Sequence, residues 1–212
     1  MAGLGWFPQP SKYPDTREQM ASIDFKFRKK AVRTLTTRVG VYVLCDLDKT
    51  PIYIGKTRDG IRRRVARHLT SARSDIIANR QIDVWEIAFV QTYPVARKYI
   101  TELESRLFHH FNQISPLMNG AQPPLCRGKQ KLPTPTQEVQ VMPDAEIDDK
   151  KEPSQRLPRQ AAHYAQLVGH FLAVKNSAHI ARAMNAHFDR LKKYHRKLLK
   201  LAIQQPGDTE DA

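Results

Sequence analysis

Apolar residues along this chain switch between two periods, and the switches divide it into elements. Residues 39–46 and 51–56 are rich in β-branched and aromatic side chains and are separated by Asp46-Leu47-Asp48-Lys49-Thr50. That pattern predicts an antiparallel hairpin with a five-residue connection. A third strand is expected over residues 82–90. Between and after these strands the spacing becomes helical. Ile61, Val65, Leu69 and Ala72 share one side of a predicted helix over residues 60–71, with a short helix or loop behind it. Ile100, Leu103, Leu107, Phe108 and Phe111 share one side of a longer helix over residues 95–113, stopped ahead of Pro116. Near the C-terminus, Leu157, Ala161, Tyr164, Leu167, Val168, Phe171 and Leu172 form one stripe. Ile180, Met184, Phe188, Leu191, His195, Leu198 and Leu199 form another, with Ser177 placed as its N-cap. Each stripe needs a partner and the other is nearest, so the two helices should fold back on each other as a hairpin. The expected fold class is α+β, with a small three-stranded antiparallel sheet flanked by helices and a C-terminal helical hairpin.

These elements imply five stretches. Residues 1–38 read as an irregular basic leader, with Pro8, Pro10 and Pro14 early and Phe25-Lys26-Phe27-Arg28-Lys29-Lys30 later. Residues 39–120 read as the α+β domain. Residues 121–158 combine several prolines with the acidic run Asp144-Ala145-Glu146-Ile147-Asp148-Asp149, which reads as a linker that wraps or dangles. Residues 159–203 form a basic helical region, and 204–212 a disordered tail.

Charge narrows the possible partners. The chain carries 35 Lys+Arg against 21 Asp+Glu, a formal net charge of +14. A polyanion would gain affinity from such a surplus through counterion release, and an anionic membrane surface fits the number equally well. No apolar run is long enough to span a bilayer, and no secretion signal is evident at the N-terminus. Two cysteines, Cys45 and Cys126, are too few for a disulfide framework and point to a reducing cytoplasm.

Chemistry concentrates on the two central helices. On the first, Arg64 and His68 lie together on the flank of the apolar stripe, placed to reach into a cleft. Arg62 and Arg63 read as a solvated basic helix face that contacts phosphates non-specifically. On the second, Glu104 projects inside the apolar stripe, about 40° from both Ile100 and Phe108, whereas Glu102 projects from the opposite face. A lone carboxylate in an apolar stripe is costly unless it is paired or holds a cation, so Glu104 requires a partner. The histidines after residue 162 (His163, His170, His179, His187 and His195) lack the i, i+4 spacing of a helical zinc site and read as structural or surface residues. His109 and His110 lie away from the Glu104 face.

The predicted hairpin carries two further signals, Gly40-Val41-Tyr42 and Tyr53-Ile54-Gly55. In this order, followed by Lys56, by Arg64 with His68 one turn later, and by Glu104 ahead of Pro116 and Asn119, they resemble the GIY-YIG nuclease family. The resemblance covers roughly residues 39–119. It implies a DNA endonuclease with Tyr42, Tyr53, Arg64, His68 and Glu104 as catalytic residues. Tyr42 would serve as general base, with a neighbouring cation such as Lys56 or Arg64 favouring its phenolate. Gly55, Lys56 and Asn119 would contact substrate, and Glu104 would be the ligand of a single Mg²⁺ or Mn²⁺.

Three readings compete. A divalent-metal-dependent endonuclease of restriction, repair or mobile-element type is favoured, with DNA as partner, no membrane association and a homodimer possible. A catalytically inactive DNA-binding or scaffold module would be marked by loss of a catalytic residue, yet Tyr42, Tyr53, Arg64 and Glu104 are all present. An RNA-binding protein would account for the charge and leave Glu104 unexplained.

Overall fold

Residues 40–45 are apolar at every position, and a strand without a polar face must be covered on both sides. The computed structural model describes residues 16–70, 80–126, 131–173 and 177–204, excluding the side chains of 16–24 and 201–204. In chain order the regular elements are helix α1 (Thr16–Thr34), strands β1 (Gly40–Cys45) and β2 (Pro51–Thr57), helix α2 (Ile61–Thr70), strand β3 (Phe89–Pro94) and helix α3 (Ile100–Ile114). Strand β4 (Gln137–Gln140) follows, then helices α4 (Asp144–Lys151), α5 (Pro153–Ala173) and α6 (Ala178–Gln204). The strands form one antiparallel sheet in the order β2-β1-β3-β4.

Every residue of β1 is buried, and its alternate side chains enter two different cores. Tyr42 and Leu44 join Val32 and Leu35 at the end of α1 and Ile61, Val65 and Leu69 of α2. Val41, Val43 and Cys45 join Ile100, Leu103, Leu107 and Phe108 of α3 and Ile147 of α4. The β1–β2 connection is organised by Asp46, whose Oδ1 accepts the backbone N–H groups of Asp48 and Thr50, each at 2.9 Å. Lys49 takes the left-handed conformation there (φ 61°).

The α+β class holds, with four strands in place of the expected three. The extra one, β4, lies in the stretch expected as a linker, where it pairs with β3 and sets Val139 opposite Val90. The prolines at 133 and 135 precede β4, and behind it Val141, Met142 and Ile147 are buried. Composition averaged over 121–158 concealed this short alternating strand and the helices that follow it. The leader differs too: residues 16–34 are helical, while 1–15 lie outside the described residues. Arg28, within the basic run, is buried, with its guanidinium over the Trp85 ring and donating to the carbonyls of Val84, Ile87 and Val141. The third strand also starts later than expected. Asp83 accepts the N–H of Trp85 and caps a turn of 3₁₀ helix (Val84–Glu86), so the apolar residues there pack from a turn and pairing begins at Phe89. The helix or loop expected beyond residue 70 falls mostly outside the described residues, as do 205–212 of the tail.

The C-terminal hairpin forms, and it docks through ions as well as apolar side chains. Ala186 joins the Tyr42-side core. Arg156 is almost fully buried and binds Glu86 through Nε (2.8 Å) and Asp48 through Nη1 (2.6 Å). Arg159 reaches the other oxygen of Glu86 at 2.6 Å, and Tyr194 donates to the first at 3.1 Å. Arg190 donates to Asp46 Oδ2 at 2.8 Å, to the Pro51 carbonyl and to Ser115. Although burial works against its charge, Arg156 is held firmly protonated by Glu86, Tyr194 and Asp48. Removing one member of such a buried pair leaves the other charge uncompensated. Arg156→Ala should therefore lower unfolding stability by about 3–5 kcal/mol, read from urea denaturation midpoints. A loss below about 1 kcal/mol would mean that water enters and solvates Glu86 in the variant.

Candidate active site

Tyr42 stands on the central strand β1, directly across from Gly55 on the edge strand β2. The phenol lies flat over that glycine. A Cβ at position 55 would come within 2.1 Å of the Tyr42 hydroxyl oxygen and 2.2 Å of the ring carbon bearing it. No larger residue fits without displacing the ring. The hydroxyl then meets Nε2 of His68 at 2.6 Å, in a wholly buried contact. His68 reaches this position because α2 turns its Ile61-Val65-Leu69 stripe into the core and carries the histidine on that stripe's flank. Tyr53, half-buried on β2, completes a ring cluster, with centroids 6.4 Å from Tyr42 and 6.0 Å from His68.

Arg64, one turn before His68, hydrogen-bonds to the Tyr42 hydroxyl and draws its pKa downward. Burial acts against it and is stronger. With Tyr53 and Glu104 pushing in the same direction as burial, the phenol is raised well above its usual value near 10. The expected effect of a neighbouring cation on Tyr42 is present in Arg64 and is outweighed by the loss of solvent.

Glu104 does face inward, as its place in the α3 stripe predicts, and its side chain is 16% exposed against 44% for Glu102. Its ion partner is Lys56, with Nζ 2.7 Å from Oε2. Lys56 pairs in register with Val41, on the face of β2 opposite Tyr42, so this ion pair ties the edge strand to α3. The charge of Glu104 nevertheless also acts on Tyr42, where it opposes the phenolate. Glu102 pairs with Arg106 on its own helix, at 3.7 Å.

Both ends of the Asn119 side chain are engaged with the β2 backbone. Nδ2 donates to the Ile54 carbonyl at 2.6 Å and Oδ1 accepts the Ile54 N–H at 3.0 Å. The Asn119 carbonyl is held in turn by Arg182 Nε of α6 at 3.1 Å. Of the residues that the sequence singles out, Tyr42, Tyr53, Gly55, Arg64 and His68 lie on one face of the strand, Lys56 and Glu104 on the other, and Asn119 braces the edge between them. Arg62 donates to the Leu35 carbonyl and serves the fold. Arg63 is exposed, as its place on the helix predicts, and with Thr57, Asp59, Arg64 and Arg67 it lines a cleft of about 190 Å³. The i, i+4 spacing of Arg63 and Arg67 was the available signal, but the apolar stripe alone gives no reason for attention to that face.

Among the described residues no cluster of three or more His, Cys, Asp and Glu could cage a metal ion. A hard cation that keeps most of its waters needs only one or two protein carboxylates, and Glu104, partly open to solvent, offers one. Residues 38–118 match the family model described as the GIY-YIG catalytic domain. No curated protein and no solved structure matches the chain. Helix α1, strand β4 and helices α4 to α6 lie outside the matched span.

Overpacking a tight core contact costs about 1–3 kcal/mol. Gly55→Ala should lower the unfolding midpoint accordingly and broaden or shift the Tyr42 ring resonances in NMR spectra. Unchanged stability and spectra would show that the phenol can swing off the strand at no cost.

Proposed function

Because residues 38–118 form a GIY-YIG catalytic domain, which implies phosphodiester-hydrolysing nuclease activity, we propose that the protein is a DNA endonuclease assisted by a divalent cation such as Mg²⁺ or Mn²⁺. The observation that carries the catalytic part is the buried 2.6 Å contact between the Tyr42 hydroxyl and His68 Nε2. The surplus of basic residues supports a polyanionic substrate. Among the described residues no helix is long and apolar enough to cross a membrane, and a reducing cytoplasm suits the two unpaired cysteines.

A phenol raised above its usual pKa is a poor base by itself. With neutral His68 behind it, Tyr42 donates its proton to Nε2 while its oxygen accepts one from the attacking water, so the charge ends on the imidazole and no phenolate is formed. Arg64, beside the phenol, offers a fixed positive charge to the non-bridging phosphate oxygens. Tyr53, half-exposed at the rim, hydrogen-bonds the phosphate and fixes its approach. Glu104 is the residue that would hold the cation, which when bound neutralises charge developing on the scissile phosphate and the leaving oxygen. Lys56, paired with Glu104, keeps that carboxylate oriented and can turn toward the phosphate once a cation replaces it.

A positioned acid–base group contributes at least about a hundredfold in rate, so Tyr42→Phe should slow cleavage of plasmid or duplex DNA by that factor or more. Groups acting as one relay are not additive, so Tyr42→Phe/His68→Ala should be little worse than the slower single variant. Fully multiplicative losses would separate the two residues, and a Tyr42→Phe enzyme within a few-fold of the parent would remove Tyr42 from the role.

For Glu104, the expected result is that Glu104→Gln abolishes Mg²⁺-dependent cleavage while DNA binding in chelator persists, and that Glu102→Gln still cleaves. The reverse pattern would place the cation on the other side of α3.

A further inference from the structure

Three arginines converge on one small cleft. Arg63, Arg64 and Arg67 come from adjoining turns of α2 and line it together with Thr57 and Asp59 from the end of β2 and the connection to α2. Only Arg64 is shared with the ring cluster: Tyr42, Tyr53, His68 and Glu104 are absent from the cleft wall. The lining contains no aromatic and no aliphatic side chain. A nucleobase held in a protein groove stacks on rings or guanidinium planes beside apolar surface, and this cleft lacks the ring and apolar components. Three guanidinium groups against one carboxylate match a phosphate instead, since arginine's fixed fork of donors binds phosphate oxygens in pairs. Arg63 and Arg67 are both exposed.

We propose that this cleft is a second phosphate subsite, taking a backbone phosphodiester next to the one that undergoes hydrolysis, with Arg63 and Arg67 as its binding residues. Arg64 stands between the two subsites, hydrogen-bonded to the Tyr42 phenol on one side and lining the cleft on the other. The arrangement fixes the register of the bound strand: a phosphate seated on Arg63 and Arg67 sets which linkage lies beside Tyr42. Asp59, at the same wall, opposes a second negative charge, which favours an internal phosphodiester over a doubly charged terminal phosphate. The subsite rests on the nuclease reading given above, but its test does not require cleavage.

The test is the salt dependence of binding to a fluorescent DNA duplex, measured by anisotropy in chelator with the full-length protein. Arg63→Ala/Arg67→Ala should weaken binding and reduce the slope of log K against log salt by about 0.9, the contribution of one phosphate contact. Arg63→Lys/Arg67→Lys should restore most of the slope. Lys26→Ala/Lys30→Ala, removing the same charge from exposed positions on α1, should leave the slope at the parent value. A parent slope in the arginine double variant would overturn the subsite, as would an equal loss in the α1 control, which would show only diffuse attraction. If the protein binds DNA in this way and yet never cuts it with any divalent cation, the nuclease reading fails while the subsite stands.

Discussion

The proposed chemistry depends on a phenol that must lie where a side chain would normally be. Tyr42 occupies the middle of a strand covered on both faces, and its cross-strand neighbour is a glycine because the ring fills the space of that neighbour's Cβ. Once the ring lies there, its hydroxyl meets His68 of α2. Burial raises the phenol's pKa and thereby dictates how the group can act. A solvated tyrosine beside an arginine could work as a phenolate, whereas a buried one needs an acceptor behind it to take the proton. Histidine is suited to that role because its neutral imidazole can accept a proton near neutral pH.

A second constraint operates at the opposite end of the hairpin. Asp46 and Asp48 in the β1–β2 connection and Asp83 and Glu86 before β3 gather acidic charge that this part of the chain does not itself offset. Asp46 and Glu86 are essentially without solvent. Arg156, Arg159 and Arg190 arrive from α5 and α6 to neutralise them. The turn that sets the β1–β2 register and the C-terminal hairpin are therefore interdependent: exposing the hairpin's arginines would leave buried carboxylates behind, a costly state. The same pairing changes the meaning of the hairpin's positive charge, part of which compensates acids of its own chain instead of meeting a polyanion.

How much of this was legible depended on whether the signal was local. Arg64, His68 and Glu104 could be placed because helical phase assigns each residue a face, and those faces survive folding intact, whereas Tyr42 and Gly55 were legible through the paired motifs of the family resemblance. The inward direction of Glu104 followed from its neighbours Ile100 and Phe108, but its partner did not, since Lys56 comes from a strand distant in sequence. Strand β4 escaped notice because four residues are too few to outweigh the prolines around them. Its existence depends on β3 having an open edge, which only tertiary structure creates. The burial of Arg28 and Arg156 was likewise hidden: a basic run on a helix suggests a wet surface until the carbonyls or carboxylates that receive it are known.

The edge position of β2 explains why residues beyond the family match bear on the site. An edge strand is held by hydrogen bonds from one neighbour only, and a one-residue slip would set Ile54 or Lys56 opposite Tyr42 in place of Gly55, which the ring could not accommodate. On its outer side β2 is braced by the chain leaving α3. Met118 N–H donates to the Ile52 carbonyl at 2.8 Å, and the Asn119 amide clasps Ile54 from both sides. That brace is in turn secured from α6, where Arg182 holds the Asn119 carbonyl and the Asn112 side chain and lies over the Phe108 ring. Asn112 itself accepts the N–H of Leu117, so the segment after α3 is fixed at both ends. The placement of Gly55 beneath Tyr42 is thus maintained from both sides of the strand. The matched span carries the candidate reacting groups, but the geometry they need is secured by a helix whose sequence lies outside it.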